Sequence, residues 1–159
     1  LLFVGILVVC FWGVIFPLIS EIFTGQKVTV GPPFYERANA PLMAALLLLM
    51  AVAPLSGWGL STVKTIGRSI WKPAIVAILV VVVTFISGIK NPYALIGFFL
   101  VALVLSVTLY EYWRGVHART RRHNEGDFKA LWILIQRNRR RYGGYLIHIA
   151  MAMMAIGIM

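Results

Sequence analysis

The chain has 159 residues, of which 60% are hydrophobic and 13% charged, and it carries a net charge of +10 at neutral pH. With a mean hydropathy of +0.87, it is not a water-soluble globular enzyme; the composition predicts an all-α, polytopic transmembrane helical bundle. The single cysteine, Cys10, lies in an apolar run, which excludes a disulfide framework and a thiolate metal centre.

Five apolar segments are expected to span. The first, Leu1 to Ser20, has no basic stretch before it and no small-residue cleavage site after it, so it is not a signal peptide. The sequence opens on Leu1 and stops at Met159 inside an apolar run, so a longer polypeptide is expected around it. Residues 21–39 follow as a loop holding Glu21 and Glu36, in which Gly31, Pro32 and Pro33 should form a stiff extended turn. That turn either braces a cavity, with Phe34 and Tyr35 offering aromatic contact, or simply connects two helices. The second segment is Ala40 to Trp58, the third Pro73 to Ile89, the fourth Tyr93 to Tyr112 and the fifth Tyr142 to Met159. Pro41 and Pro73 suit first-turn positions, while Pro17 and Pro54 fall near segment ends. Residues 113–141 form a basic amphipathic stretch, expected as one or two surface helices with Phe128, Leu131, Trp132 and Ile135 on one apolar face.

Charge is distributed unequally between the connections. Loop 59–72 holds Lys64, Arg68 and Lys72, and stretch 113–141 holds nine more cations, so these two contain twelve of the fifteen Lys and Arg residues. By the positive-inside rule they face the cytoplasm, which makes 21–39 extracytoplasmic. Topology and anionic membrane lipid account for the basic residues, and no nucleic-acid partner is expected, because no soluble binding fold or aromatic-interleaved basic surface accompanies them. His117 and His123 lie among arginines and read as solvated side chains.

His148 differs from both, since it sits within the apolar run YLIHIAMAMMAIGIM, seven residues past the last arginine of the cluster Arg139 to Arg141. A helix rising about 1.5 Å per residue would carry it roughly 10 Å below the membrane surface. Ionisable groups at that depth are costly and turn toward protein or cofactor. Two roles fit it: a neutral imidazole hydrogen-bonded to a neighbouring helix, or an axial haem ligand. Gly143 and Gly144 would let a helix or a porphyrin edge approach. Arg140 and Arg141 would reach haem propionates, although topology alone also explains them. Met151, Met153 and Met154 read as packing.

The segment FPLISEIFTGQKVTVGPPFYERANAPLMAALLLLMAVAPLSGW and the later NRRRYGGYLIHIA resemble the C-terminal half of the CcmF family, membrane haem lyases of cytochrome c maturation. The most specific pieces are VGPPF at 30–34 and RRRYGGYLIH at 139–148. The resemblance implies haem attachment to apocytochrome c on the outer face of the bacterial inner membrane. It implies the haem chaperone CcmE and a CcmH-type thiol protein as partners; independently of the resemblance, a haem embedded in the bilayer would take its electron from a quinol. The resemblance also implies a resident haem b, with His148 matching the second of two transmembrane ligands. The family's tryptophan-rich WWD segment, its outer-face histidines and its first transmembrane histidine have no counterpart here, so the attachment site and the second ligand are expected elsewhere. Two other classes stay open: a b-type electron-transfer subunit of a respiratory complex, which should carry paired histidines, and a transporter, which should carry broken helices with polar mid-membrane residues.

Overall fold

The computed structural model describes residues 1–26, 28–56, 63–123 and 126–158. They form six α-helices and one short 3-10 turn, Ala53–Leu55, with no strand among the described residues. Lys27, Trp58, loop positions 59–62 and Met159 lie outside the described residues. The chain divides into two compact units, Leu1–Leu46 and Leu47–Met159.

In the first unit, α1 (Leu2–Thr24) ends where Gly25 takes φ 65°, a left-handed conformation that costs glycine no Cβ clash. The Gly25 N–H donates to the Glu21 carbonyl at 3.0 Å. Ser20 Oγ donates to the Pro17 carbonyl at 2.9 Å and accepts from the Val28 N–H at 3.0 Å, which ties the connection back onto α1. The second helix, α2 (Pro32–Val52), begins at the prolines themselves. The expected loop 21–39 therefore contracts to 25–31, and Glu21 and Glu36 both lie in helices. Nor is the Gly31-Pro32-Pro33 segment extended. Pro32 and Pro33 occupy a first helical turn, where the absent N–H is not missed and φ is already set, and the Phe34 N–H reaches the Gly31 carbonyl at 3.1 Å.

Small residues on α1 receive side chains from α2, as close packing of membrane helices requires. A β-carbon at Gly5 would sit 3.5 Å from Leu42, and one at Gly13 would overlap the Tyr35 ring. Between them Asn39 Nδ2 donates to Cys10 Sγ at 3.7 Å.

In the second unit, α3 (Val63–Ile86) starts ten residues earlier than expected, which puts Pro73 inside the helix instead of in its first turn; Pro41 is likewise interior to α2. Ser106 Oγ, from the next helix, donates to the Pro73 carbonyl at 3.1 Å. α3 ends in a Schellman motif: Gly88, at φ 100°, donates to the Phe85 carbonyl and Ile89 to that of Thr84. Asn91 Oδ1 then accepts from the Tyr93 N–H at 2.9 Å and caps α4 (Pro92–His123), with Pro92 at its first position.

α4 packs against α3, α5 (Asp127–Arg137) and α6 (Arg139–Ile158). It is accordingly the most buried element, with Leu100, Val101, Leu103, Val104, Val107 and Thr108 all enclosed. Its length, about 48 Å at the helical rise, exceeds the roughly 30 Å hydrocarbon core of a bilayer. Among the described residues the basic stretch after Tyr112 is thus largely helical: α4 continues to His123, and α5 and the first turn of α6 follow. α5 is a helix within the expected stretch, and its apolar positions divide between two surroundings, with Leu131 and Ile135 half-buried. Ala130 and Leu134 turn inward, whereas Phe128 and Trp132 are 91% and 65% exposed.

Among the described residues, four helical stretches are long and apolar enough to cross a membrane: Leu2–Thr24, Pro32–Leu55, Ser69–Ile86 and Pro92–Arg122. The fifth expected span forms a helix, α6, which opens on three arginines and is not among these four. Phe3, Leu7, Phe11, Ile78, Leu79 and Val83 project outward from α1 and α3. Apolar faces of this extent are satisfied by lipid, not by water.

Candidate functional site

Where α6 leaves its arginine cluster it is held to α4 by two consecutive residues on each helix. Glu111 is 4% exposed, and each of its oxygens takes one arginine: Oε1 accepts from Arg114 Nη1 at 3.1 Å, and Oε2 from Arg141 Nη2 at 2.9 Å. The next residue, Tyr112, donates its hydroxyl to the Tyr142 carbonyl at 2.7 Å. Burying a carboxylate is costly unless it is paired and hydrogen-bonded, and here both oxygens are occupied. The two arginines keep more than half of their surface in solvent. The pairing therefore strengthens the helix contact less than two fully buried charges would.

Around this pair Tyr112, Tyr142 and Tyr145 pack ring to ring, with centroids 5.3 to 5.6 Å apart. Tyr142 and Tyr145 are each only 5% exposed, and Leu134 of α5 closes the cluster. Gly115 accommodates the Tyr142 hydroxyl, since a β-carbon there would collide with it. Arg141 Nε donates to Tyr145 Oη at 2.8 Å. That bond, with the nearby Glu111 charge, raises the guanidinium above its ordinary pKa.

One turn further along, His148 is half-buried, and its Nδ1 lies 2.7 Å from the Gly144 carbonyl. A carbonyl only accepts, so Nδ1 carries the hydrogen in that bond. In the neutral ring Nε2 then presents a lone pair, and the ring's orientation is fixed from behind. A β-carbon at Gly143 or Gly144 would meet nothing within 4 Å, so this flank of the helix is open.

The other expected site residues are distributed as follows. Arg141 is committed to Glu111 and Tyr145, and Arg140 is exposed. Gly31, Pro32 and Pro33 are exposed and Phe34 is half-buried against Tyr35, their rings edge to face at 5.4 Å. His117 stacks on Trp113, centroids 5.3 Å apart and 10° from parallel. Sequence reasoning missed Glu111. An acidic residue closing an apolar run with an arginine three positions on reads as an interface charge, and nothing local marks Arg141 as its second partner.

Comparison with known proteins gives concordant matches. The chain is 31% identical over 147 residues, 92% of its length, to the cytochrome c-type biogenesis protein CcmF of Pseudomonas fluorescens. It is 31% identical over 115 residues, 72% of its length, to the cytochrome c-type biogenesis protein ccl1 of Rhodobacter capsulatus. The chain belongs to the CcmF family. A shorter stretch of 46 residues, 29% of the chain and 7% of the relative, is 41% identical to CcmF of Pseudomonas aeruginosa. The chain spans about a fifth of the length of the first two relatives, 21% and 18%. No family model matches it, and no solved structure does. Family and spans together support a membrane protein.

Proposed function

We propose that this chain is part of a membrane haem lyase component and that His148 is an axial ligand to a resident haem b. The observation that carries the reading is the His148 ring, fixed through Nδ1 by the Gly144 carbonyl and leaving Nε2 for a metal beside an open glycine flank. Orientation of the ligand by a backbone carbonyl is the usual arrangement behind a metal-bound imidazole. When bound, the haem supplies one-electron transfer, at a potential set by its ligands and burial. Gly143 and Gly144 leave room for its edge, and Arg140 is the cation available to a propionate, Arg141 being engaged elsewhere.

The second ligand and the haem attachment site belong to parts of the polypeptide beyond this stretch. Apocytochrome c, the chaperone CcmE, a CcmH-type thiol protein and a quinol donor are the partners this reading assigns to the whole protein. Its place is the bacterial inner membrane, with residues 113–141 on the cytoplasmic side. The opposite connection, with Gly31, Pro32, Pro33 and Phe34, borders the outer-face cavity. Phe34 is its aromatic contact, because Tyr35 is turned onto Gly13.

The test is the reduced-minus-oxidised spectrum of the full-length protein purified from membranes. A b-type signal is expected in the parent and its loss in His148→Ala, with membrane insertion unchanged. An undiminished signal in the variant refutes the ligand assignment.

A further inference from the structure

We propose that Glu111 is a positioning residue for the His148 site. Through Arg141 and Tyr145 it fixes the register of α6 against α4, and thereby the direction in which the imidazole points. This rests on the reading of His148 as a haem ligand. Glu111 Oε2 holds Arg141, Arg141 Nε holds Tyr145 Oη, and Tyr145 follows Gly144, whose carbonyl orients the imidazole. Two polar contacts and one peptide step therefore lead from a buried carboxylate on one helix to the carbonyl that orients the ligand on another.

The geometry argues for specificity over mere adhesion. A well-packed apolar contact stabilises a helix pair as well as a buried ion pair does, or better, so a carboxylate at this position needs another reason. An apolar seam tolerates sliding or rotation of α6, whereas Glu111 Oε1 is held by Arg114 of its own helix, which leaves Oε2 to meet Arg141 of α6 in one arrangement. Tyr112 repeats the constraint one residue on, and the Tyr142 hydroxyl seated on Gly115 blocks a shift along the axis. All of these contacts lie on the arginine side of His148, so slippage of this end would be transmitted to the ligand by a rigid helix.

The experiment uses the full-length protein with haem bound and compares Glu111→Gln, Glu111→Ala, Arg141→Lys and His148→Ala. Haem content, the low-spin electron paramagnetic resonance signature and the midpoint potential are read in each. Glu111→Gln is expected to keep most of the haem but to alter the signature and raise the potential, since a negative charge near the site is removed. Glu111→Ala is expected to lose at least half of the haem. Arg141→Lys, which keeps the charge opposite Glu111, should stay nearer the parent than either. Should Glu111→Ala not accumulate, the near-isosteric Glu111→Gln decides. Parent-like content, signature and potential in Glu111→Gln, with haem lost from His148→Ala, overturn the positioning role alone. Haem retained in His148→Ala overturns the ligand reading and this inference with it.

Discussion

At the scale of single residues, two glycines make contrasting demands on the tyrosines they face. At Gly115 a β-carbon would strike the Tyr142 hydroxyl, while the next nearest atoms, Tyr142 Cζ and Leu134 Cδ2, stand at 3.4 Å. At Gly13 the ring itself obstructs, with Tyr35 Cζ at 2.6 Å and Cε1 at 2.7 Å. Gly115→Ala should therefore destabilise by about 1–3 kcal/mol, as overpacking does. Adding Tyr142→Phe should recover most of that loss, whereas Tyr35→Phe should not rescue Gly13→Ala. Thermal unfolding in detergent, arranged as double-mutant cycles, checks both, and equal rescue at the two sites would contradict the packing. His148 stood out in the sequence because it is an isolated ionisable group in hydrocarbon. The glycine–tyrosine contacts and the Glu111–Arg141 pair did not, because their members are separated by 22 to 30 positions and no local pattern selects one arginine among the eight of residues 113–141.

At the scale of elements, the apolar segments were visible but their ends were not. Hydropathy reports where lipid begins, and a helix can continue well past that point: α4 runs eleven residues beyond Tyr112, and α3 begins ten residues before Pro73. Proline was equally ambiguous, starting α2 at Pro32 yet lying inside three helices at Pro17, Pro41 and Pro73. The sequence marks α5 as amphipathic but not which of its residues meet protein. Its two apolar stripes are alike in spacing, and only tertiary contact decides that Ala130 and Leu134 go inside. Leu134→Ala should accordingly cost about 2–4 kcal/mol, the range for truncating an enclosed leucine. Trp132→Ala should change stability by no more than about 0.5 kcal/mol, as at an exposed position. Chemical unfolding of both variants in the same detergent tests the assignment, and a larger loss for Trp132→Ala would reverse the two faces.

At the scale of the whole molecule, composition alone declared the membrane class, since 60% hydrophobic residues leave no other solvent for the outward faces of α1 and α3. The division at Leu46 was not legible, because it falls within an unbroken helix and depends on contacts far apart in sequence. Under the proposed orientation, with twelve cations on one side and three on the other, a cysteine placed at Thr120 should be shielded from an impermeant thiol reagent in intact cells. One placed at Gln26 should react, and a reversed pattern would put the base of α6 on the outer side. The claim on which the rest depends is that His148 Nε2 binds haem iron. Replacing His148 by glycine in the full-length protein and recording the reduced-minus-oxidised spectrum with and without added imidazole tests it most directly. The account predicts a b-type signal that is absent from the variant alone and returns when imidazole fills the vacated position; an undiminished signal without imidazole would contradict it.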